Sequence, residues 1–472
     1  MTTTFSQALV NPYVGPRSFQ QGERLYGRDR EAKDLLGLLI AERIVLLHSP
    51  SGAGKTSLLQ AAVIPQLRAN EFSVLPTIRV SLELNERDAD AVERAEERGA
   101  QLLVGDAINW AAALRSAERP NRYVISALLS LEDDLPPEQR TATDELRQFT
   151  LDTYLSRREE QLGDRDIVLI FDQFEEVLTI DPTDTAAKAA FFAQLGMALR
   201  NRGRWALFAM REDYVASLAP YLRPIPTRLS TTFRLDLLDS SAARMAVQQP
   251  AALRGVHFSP EAARRLIDDL RRTQVQLADG RVELQFGPHV EPVQLQVVCL
   301  RLWEKLAAQR GWQQSDEEAI APSPQPAAFV SDDDIVVAAA PTRTIDTITV
   351  GDVETIGNVD NALATYYADK VSAVAAETSS DERQIREWFD RELITAQGLR
   401  GQVLQSAEHS AGLANTTIGE LIDSYLVRGE KRRGMTWFEL SHDRLVAPVR
   451  ENNAQWFRTN LSTLQRQADL YG

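Results

Sequence analysis

Residues 44–59, IVLLHSPSGAGKTSLL, restrict what this chain can fold into more than any other stretch. An apolar, β-rich run of Ile44, Val45, Leu46 and Leu47 feeds a loop of small residues. The loop closes on Gly54-Lys55-Thr56 and opens into an apolar helix. Strand, glycine loop and helix in that order are what phosphate binding requires. The backbone N–H groups must converge on one point, and only small residues permit the bend. The helix N-terminus adds its partial positive charge. In such a loop Lys55 reaches the β- and γ-phosphates and the Thr56 hydroxyl ligates Mg²⁺. The full pattern places glycine six positions before the lysine. Here that position holds Ser49, small enough for the turn to tolerate. The plain alternative is a chance Gly-Lys-Thr in a βα turn, and the flanking strand and helix argue against it.

The 472 residues suggest roughly two to four domains, and 44% hydrophobic with 25% charged residues is ordinary for a globular chain. The net charge is −15, which argues against a broad duplex-DNA face, although a local basic patch is compatible with it. Cys299 is the one cysteine, so no internal disulfide forms and a reducing compartment is expected. No apolar run approaches the length of a membrane span, and the first residues lack a basic and then apolar leader. The sequence reads as a soluble cytoplasmic protein with no membrane partner.

A turn-rich lead-in, Asn11 to Phe19, precedes Tyr26-Gly27-Arg28 and an amphipathic helix to about Ala41. Arg28 by itself reads equally as a solvated helix-cap residue. A second strand is expected over 73–82, interrupted by Pro76. Residues 85–165 exceed one crossover, with amphipathic helices near 89–103 and 144–161 and a loop at Pro136-Pro137. The clearest buried strand is Ile167 to Phe171, apolar on both faces as in a central parallel strand. It ends in Asp172-Gln173-Phe174-Glu175-Glu176. Ligands of open α/β sheets sit at such strand ends, and an acid there can hold the Mg²⁺ of a nucleotide. The bland reading is a charged turn.

A helix over 186–199 leads to a strand over 205–210 that terminates in Arg211-Glu212-Asp213. Arg211 can sense a γ-phosphate or sit in a surface ion pair. A short strand over 232–235 makes five, giving an α/β fold with a parallel sheet wrapped on both sides. The pattern then turns helical, with a kink or stop at Pro250, an amphipathic helix over 260–272, a hairpin over 274–286 and an apolar helix over 293–306. Residues 313–350, with three prolines and Asp332-Asp333-Asp334, read as a flexible insertion. Helices resume over 361–374, and 381–446 reads as a helix-helix-wing unit. The basic turn 428–434 is its wing and Trp437 to Leu440 its returning strand. The expected divisions are a lead segment 1–20, the core 21–236, helices 237–310, the insertion 311–350, a further helix 351–378, the wing unit 379–450 and a helical tail 451–472.

Taken in order, these segments resemble the STAND class of signal-transduction NTPases, in particular the bacterial novel STAND group. The matching residues are Asn11-Pro12-Tyr13 with Gly15 and Phe19, Tyr26-Gly27-Arg28, Ser51-Gly52-Ala53-Gly54-Lys55-Thr56-Ser57, Asp172-Gln173-Phe174-Glu175-Glu176, Arg211-Glu212-Asp213-Tyr214, Gln249-Pro250-Ala251 and Ser441-His442-Asp443. The resemblance implies a P-loop core that binds ATP or ADP with Mg²⁺, a helical lid, and a C-terminal winged helix that closes on the nucleotide. It places nucleotide contacts on Ser51 to Ser57 and the metal on Thr56 and Asp172. It sets the Pro250 ring near the adenine, Arg28 near the base or ribose, and His442 against the ADP β-phosphate. Read from the residues alone, His442 serves as well as a packed or capping histidine. Gln173 stands where many hydrolytic relatives carry a catalytic glutamate, and glutamine is no general base. That leaves Glu175 or Glu176 to polarise the water, beside Asp172 and Arg211, and implies slow turnover.

Two functions follow. The first is a nucleotide switch, closed with ADP and open and assembly-competent as a homo-oligomer with ATP, in bacterial signalling or antiphage defence. Its effector and sensor then reside in other chains or in missing parts of a longer protein. The second is a DNA-binding ATPase or regulator whose wing reads DNA through Arg428, Lys431, Arg432 and Arg433; the acidic balance counts against it. A phosphotransferase is a third, weaker reading, since no residues for a second substrate stand out.

Overall fold

Strands with no polar face must be covered on both sides. The computed structural model describes residues 10–80, 103–104, 107–108, 121–163, 165–181, 183–276, 282–312, 346–355, 362–395, 398, 400–432 and 435–460. The chain packs as two units. One comprises Arg28–Ser51 and Lys55–Asp236; the other comprises Met1–Gly27, Gly52–Gly54 and Leu237–Gly472.

The sheet unit is built on β1 (Ile44–Ser49), β2 (Ser73–Val74), β3 (Ile167–Phe171), β4 (Arg204–Arg211) and β5 (Thr232–Arg234), in the spatial order β2-β3-β4-β1-β5. Every pairing is parallel. All five residues of β3 are buried, so both faces of the sheet are covered there. Phe171 stacks on Phe208 of β4 with ring centroids 4.7 Å apart, and Phe174 packs on both rings. Each such fully buried side chain contributes roughly 1.5–3 kcal/mol.

Helix α1 (Asp29–Glu42) precedes β1, burying Leu35, Leu36 and Leu39. Beyond the glycine loop, α2 (Lys55–Leu58) continues through a π-helical turn, Leu59–Val63, into α3 (Ile64–Ala69). The strand expected over 73–82 is shorter. Pro76 lacks the N–H that a ladder needs, so β2 stops at Val74 and pairing resumes only as the bridge Ile78 to Phe171.

The helix expected over 144–161 is two, Thr143–Leu146 and α5 (Leu151–Leu162). Thr150 and Thr153 form a reciprocal capping box that restarts the winding. The expected helix over 89–103 lies almost wholly outside the described residues. Helix α4 (Arg122–Leu131), which sequence reasoning missed, is capped by the Asn121 side chain and buried from Tyr123 to Leu131. Its polar stripe, Arg122, Ser126 and Ser130, is short and its serines face the protein, so it does not read as a solvent face. Helix α6 (Thr185–Ala198) leads into β4.

The second unit is mostly helical, with helices Ser240–Leu253, Pro260–Leu270, Pro292–Arg310, Ala362–Thr378, Glu382–Arg391, Asn415–Asp423 and Val446–Thr459. The stop expected at Pro250 does not occur. Pro250 sits in the last turn, where its missing N–H costs one bond and the helix ends at Leu253 anyway. The insertion expected over 311–350 is ordered at its end, where Asp346–Ile348 pairs in parallel with Val256–Phe258 and Ile348 is buried. Residues 313–345 lie outside the described residues.

The expected hairpin has strands Arg272–Gln276 and Val282–Phe286. The segments expected as a wing and its returning strand form the antiparallel pair Val427–Arg432 and Met435–Leu440, joined by Gln402–Leu404 in a three-stranded sheet. The lead-in belongs to this unit. Tyr13 is buried edge-on to Trp303 and donates its hydroxyl to the Val247 carbonyl at 2.5 Å, while the Val14 N–H donates to Gln296 Oε1. Among the described residues no helix is long and apolar enough to cross a membrane.

Candidate functional site

Parallel strands deliver their C-terminal ends to one edge of the sheet, and three of them carry the polar residues of interest. The register sets Ser49 of β1 beside Arg211 of β4, and β3 ends next to β4 at Phe171, just before Asp172. Gly52 and Gly54 adopt φ of +84° and +92°, in the left-handed region. A side chain at Gly54 would find open space, so its conformation and not crowding demands glycine.

The serine that replaces the first glycine has a function of its own. Ser49 is fully buried, and its Oγ accepts a 2.8 Å hydrogen bond from Lys55 Nζ and donates at 2.8 Å to the Pro50 carbonyl. Lys55 is thereby tethered at the base of the loop. One residue on, Thr56 Oγ1 donates to Asp172 Oδ2 at 2.8 Å, so α2 and the end of β3 meet at a hydroxyl and a carboxylate. Asp172 is 4% exposed, and its other oxygen accepts the Gln173 N–H at 3.0 Å. One hydroxyl and one carboxylate are hard oxygen donors of the kind that suits Mg²⁺ when phosphates supply further ligands. Among the described residues no group of three or more His, Cys, Asp or Glu gathers as a metal centre.

The two glutamates diverge. Glu175 is buried, and its Oε2 accepts the Arg211 N–H at 3.2 Å. Glu176 turns to Arg79, whose Nη2 and Nε donate to its two oxygens at 2.6 and 3.2 Å. Arg79 Nη2 also donates to Gln173 Oε1, and Gln173 is held at φ +55°. Arg79 is only 5% exposed. Its N–H donates to Ser130 Oγ at 3.1 Å, and its carbonyl accepts from Ser126 Oγ at 2.8 Å, both serines on α4. Sequence reasoning missed Arg79, Ser126 and Ser130; the available signal was a single basic residue inside the run expected as the second strand.

The Arg211 guanidinium pairs with Asp213 at 2.7 Å and lies 5.5 Å from the Tyr214 ring centroid. Arg28 is buried, with Nη1 donating to Glu31 and Nη2 to the Asp236 carbonyl, each at 2.6 Å. Burial holds the His48 imidazole, next to Ser49 on β1, below its ordinary pKa. At the strand-end edge Lys55 meets Ser49 and Thr56 meets Asp172, while Glu175 holds the Arg211 backbone and Glu176 holds Arg79.

Pro250 and His442 lie in the helical unit, with Pro250 buried. His442 Nδ1 accepts the Arg444 N–H at 3.1 Å, which fixes the neutral imidazole with its proton on Nε2. On the expected wing, the Arg428 guanidinium pairs with buried Glu439, which Arg400 also approaches at 3.7 Å. The side chains of Lys431, Arg432 and Arg433 lie outside the described residues.

The profile of the family described as Novel STAND NTPase 1 matches residues 12–285, more than half of the chain. No curated protein matches the sequence. Among solved structures, a Walker-type ATPase of Pyrococcus abyssi is similar at 13% identity and a TM-score of 0.41, covering 92% of this chain and 98% of its own. The Aeropyrum pernix ORC2 protein in ADPNP–ADP complexes is similar at 13% identity and a TM-score of 0.39, covering 91% and 95%. At those scores the fold is read from this chain's own strand order.

Proposed function

Because the chain belongs to the Novel STAND NTPase 1 family, we propose that it is a nucleotide-controlled switch that binds ATP and ADP with Mg²⁺ and hydrolyses ATP slowly. The observation that carries this reading is the 2.8 Å contact between Thr56 and Asp172, with Lys55 tethered beside it on Ser49. In this reading Ser51 to Ser57 cradle the phosphates, and Thr56 and Asp172 hold the Mg²⁺, which neutralises phosphate charge. Arg211 senses the γ-phosphate from the neighbouring strand end. Glu175 or Glu176 polarises the attacking water, since Gln173 cannot take its proton.

Arg28 near the base or ribose, Pro250 near the adenine and His442 on the β-phosphate are assigned from the resemblance. The Nε2 proton of His442 suits it as a hydrogen-bond donor to a phosphate oxygen. The C-terminal module is then a winged helix that closes with ADP and opens with ATP to permit homo-oligomer assembly. The protein acts in the cytoplasm, in bacterial signalling or antiphage defence, through effector and sensor partners. The rival DNA-binding reading is weakened by Arg428, whose charge is taken up by Glu439.

The test is to identify any nucleotide that co-purifies and to titrate ADP into wild type and Lys55→Ala. Wild type binds ADP, and Lys55→Ala weakens it roughly 10- to 100-fold, the worth of one charge-assisted hydrogen bond. A wild-type protein that binds no adenine nucleotide sinks the proposal. His442→Ala speeds ADP release several-fold in stopped flow, and an unchanged off-rate removes His442 from the switch.

A further inference from the structure

The acid cluster at the end of β3 holds one charge pair, Arg79 with Glu176, whose arginine has no part in the phosphate chemistry above. Arg79 closes on both oxygens of Glu176 and on the side-chain carbonyl of Gln173, all within the sheet unit. Its own backbone is gripped on both polar groups by Ser126 and Ser130 of α4, so the guanidinium is delivered to one place. Its side chain is 6% exposed, whereas that of Glu176 is 19% exposed. Glu176 is therefore the more exposed half of the pair.

We propose that Arg79 is a positioning residue that restrains nucleotide hydrolysis by occupying Glu176 and fixing Gln173. The proposal rests on the nucleotide reading above. In hydrolysis the water oxygen bonds to the γ-phosphorus. The bond from that phosphorus to the bridging oxygen breaks, its electron pair stays on ADP, and the proton lost by the water passes to a carboxylate. A carboxylate whose two oxygens both accept from one guanidinium is poorly placed to take that proton. Gln173 accepts from the same guanidinium, so its amide is set in one orientation. Breaking the fork frees Glu176 as an acceptor at an edge that already presents Lys55, Thr56 and Asp172. Helix α4 thereby has a function: it holds the restraint in register.

The experiment compares single-turnover ATP hydrolysis, with nucleotide affinity measured in parallel, for wild type, Arg79→Ala, Arg79→Lys and Arg79→Ala combined with Glu176→Gln. Arg79→Ala hydrolyses roughly tenfold faster, a modest share of what a positioned base supplies, with affinity changed less than about twofold. Adding Glu176→Gln abolishes the gain. Arg79→Lys keeps the charge but not the fork and gives an intermediate gain; it also serves as the test should the alanine variant fail to fold.

A merely structural ion pair would change stability and leave the single-turnover rate unmoved. Hydrolysis no faster than wild type in Arg79→Lys and in folded Arg79→Ala, or a gain that survives Glu176→Gln, overturns the proposal while leaving nucleotide binding intact. Absence of nucleotide binding in wild type overturns the parent reading instead.

Discussion

Glu176 in the sheet unit and Glu439 in the helical unit each meet an arginine, yet their surroundings differ. Glu439 lies on the central strand of a three-stranded antiparallel sheet and is 2% exposed. Arg428, Arg400 and Gln402 all converge on it. Glu176 sits just past a strand end, meets Arg79, and keeps part of its surface in water. A buried carboxylate surrounded on a central strand has no alternative partner, so its charge is architectural. A carboxylate at a ligand-facing edge can exchange partners at little cost in fold. The same ion-pair chemistry thus serves as a fastener in one unit and as a removable restraint in the other.

The largest effect expected from this contrast is on stability. Glu439→Ala leaves Arg428 and Arg400 beside each other without their counter-charge and costs about 3–5 kcal/mol in urea unfolding. Glu176→Ala costs about 1–2 kcal/mol, because its site is partly solvated. Equal losses would break the comparison.

Next comes the grip on Arg79. Ser130→Ala removes the hydroxyl that accepts the Arg79 N–H and costs about 1 kcal/mol. A sheet unit of unchanged stability in Ser130→Ala would show that α4 does not hold the arginine. Tyr13→Phe deletes the hydroxyl bonded to Val247 and costs about 1 kcal/mol. That loss should appear in the unfolding of the helical unit, and an effect confined to the sheet unit would contradict the packing of the lead-in.

The smallest effect is pH-dependent. Burial lowers the folded-state pKa of His48 from 6.5, so the unfolded chain takes up the proton first as pH falls. The stability contributed by neutral His48 is fully present above 6.5 and is lost as the pH drops through the lowered folded value. His48→Gln should flatten the difference in melting temperature between about pH 5.5 and about pH 7.5. An unaltered difference would place the acid sensitivity elsewhere.

The parts of the sheet that are contiguous in sequence were legible from it. The run from Ile44 to Thr56 and the run from Ile167 to Asp172 each carry strand, turn and polar end in one segment. Their meeting at Thr56 and Asp172 follows from the fold they announce. Arg79 was not legible, since its partners lie far along the chain and only the sheet brings them together. Nor could adjacent residues be told apart. Glu175 and Glu176 look equivalent in sequence, yet one turns to the Arg211 backbone and the other to Arg79. The serines of α4 were hidden in a helix buried on all sides. At Pro250 a kink or a stop was expected, and the helix runs through it and ends three residues later at Leu253, short of the one bond that the ring cannot make.

The wide turn at Leu59–Val63 gives the helix beyond the glycine loop one residue more than uniform α-winding over the same rise would hold. Removing a single residue there, such as Ala61, restores regular winding and leaves Lys55 and Leu67 on the faces they now occupy. Removing Gln66 instead rotates all that follows by about 100° and carries Leu67 off the core. The segment that bears the lysine therefore has one residue to spare, and the wide turn is where it can be lost.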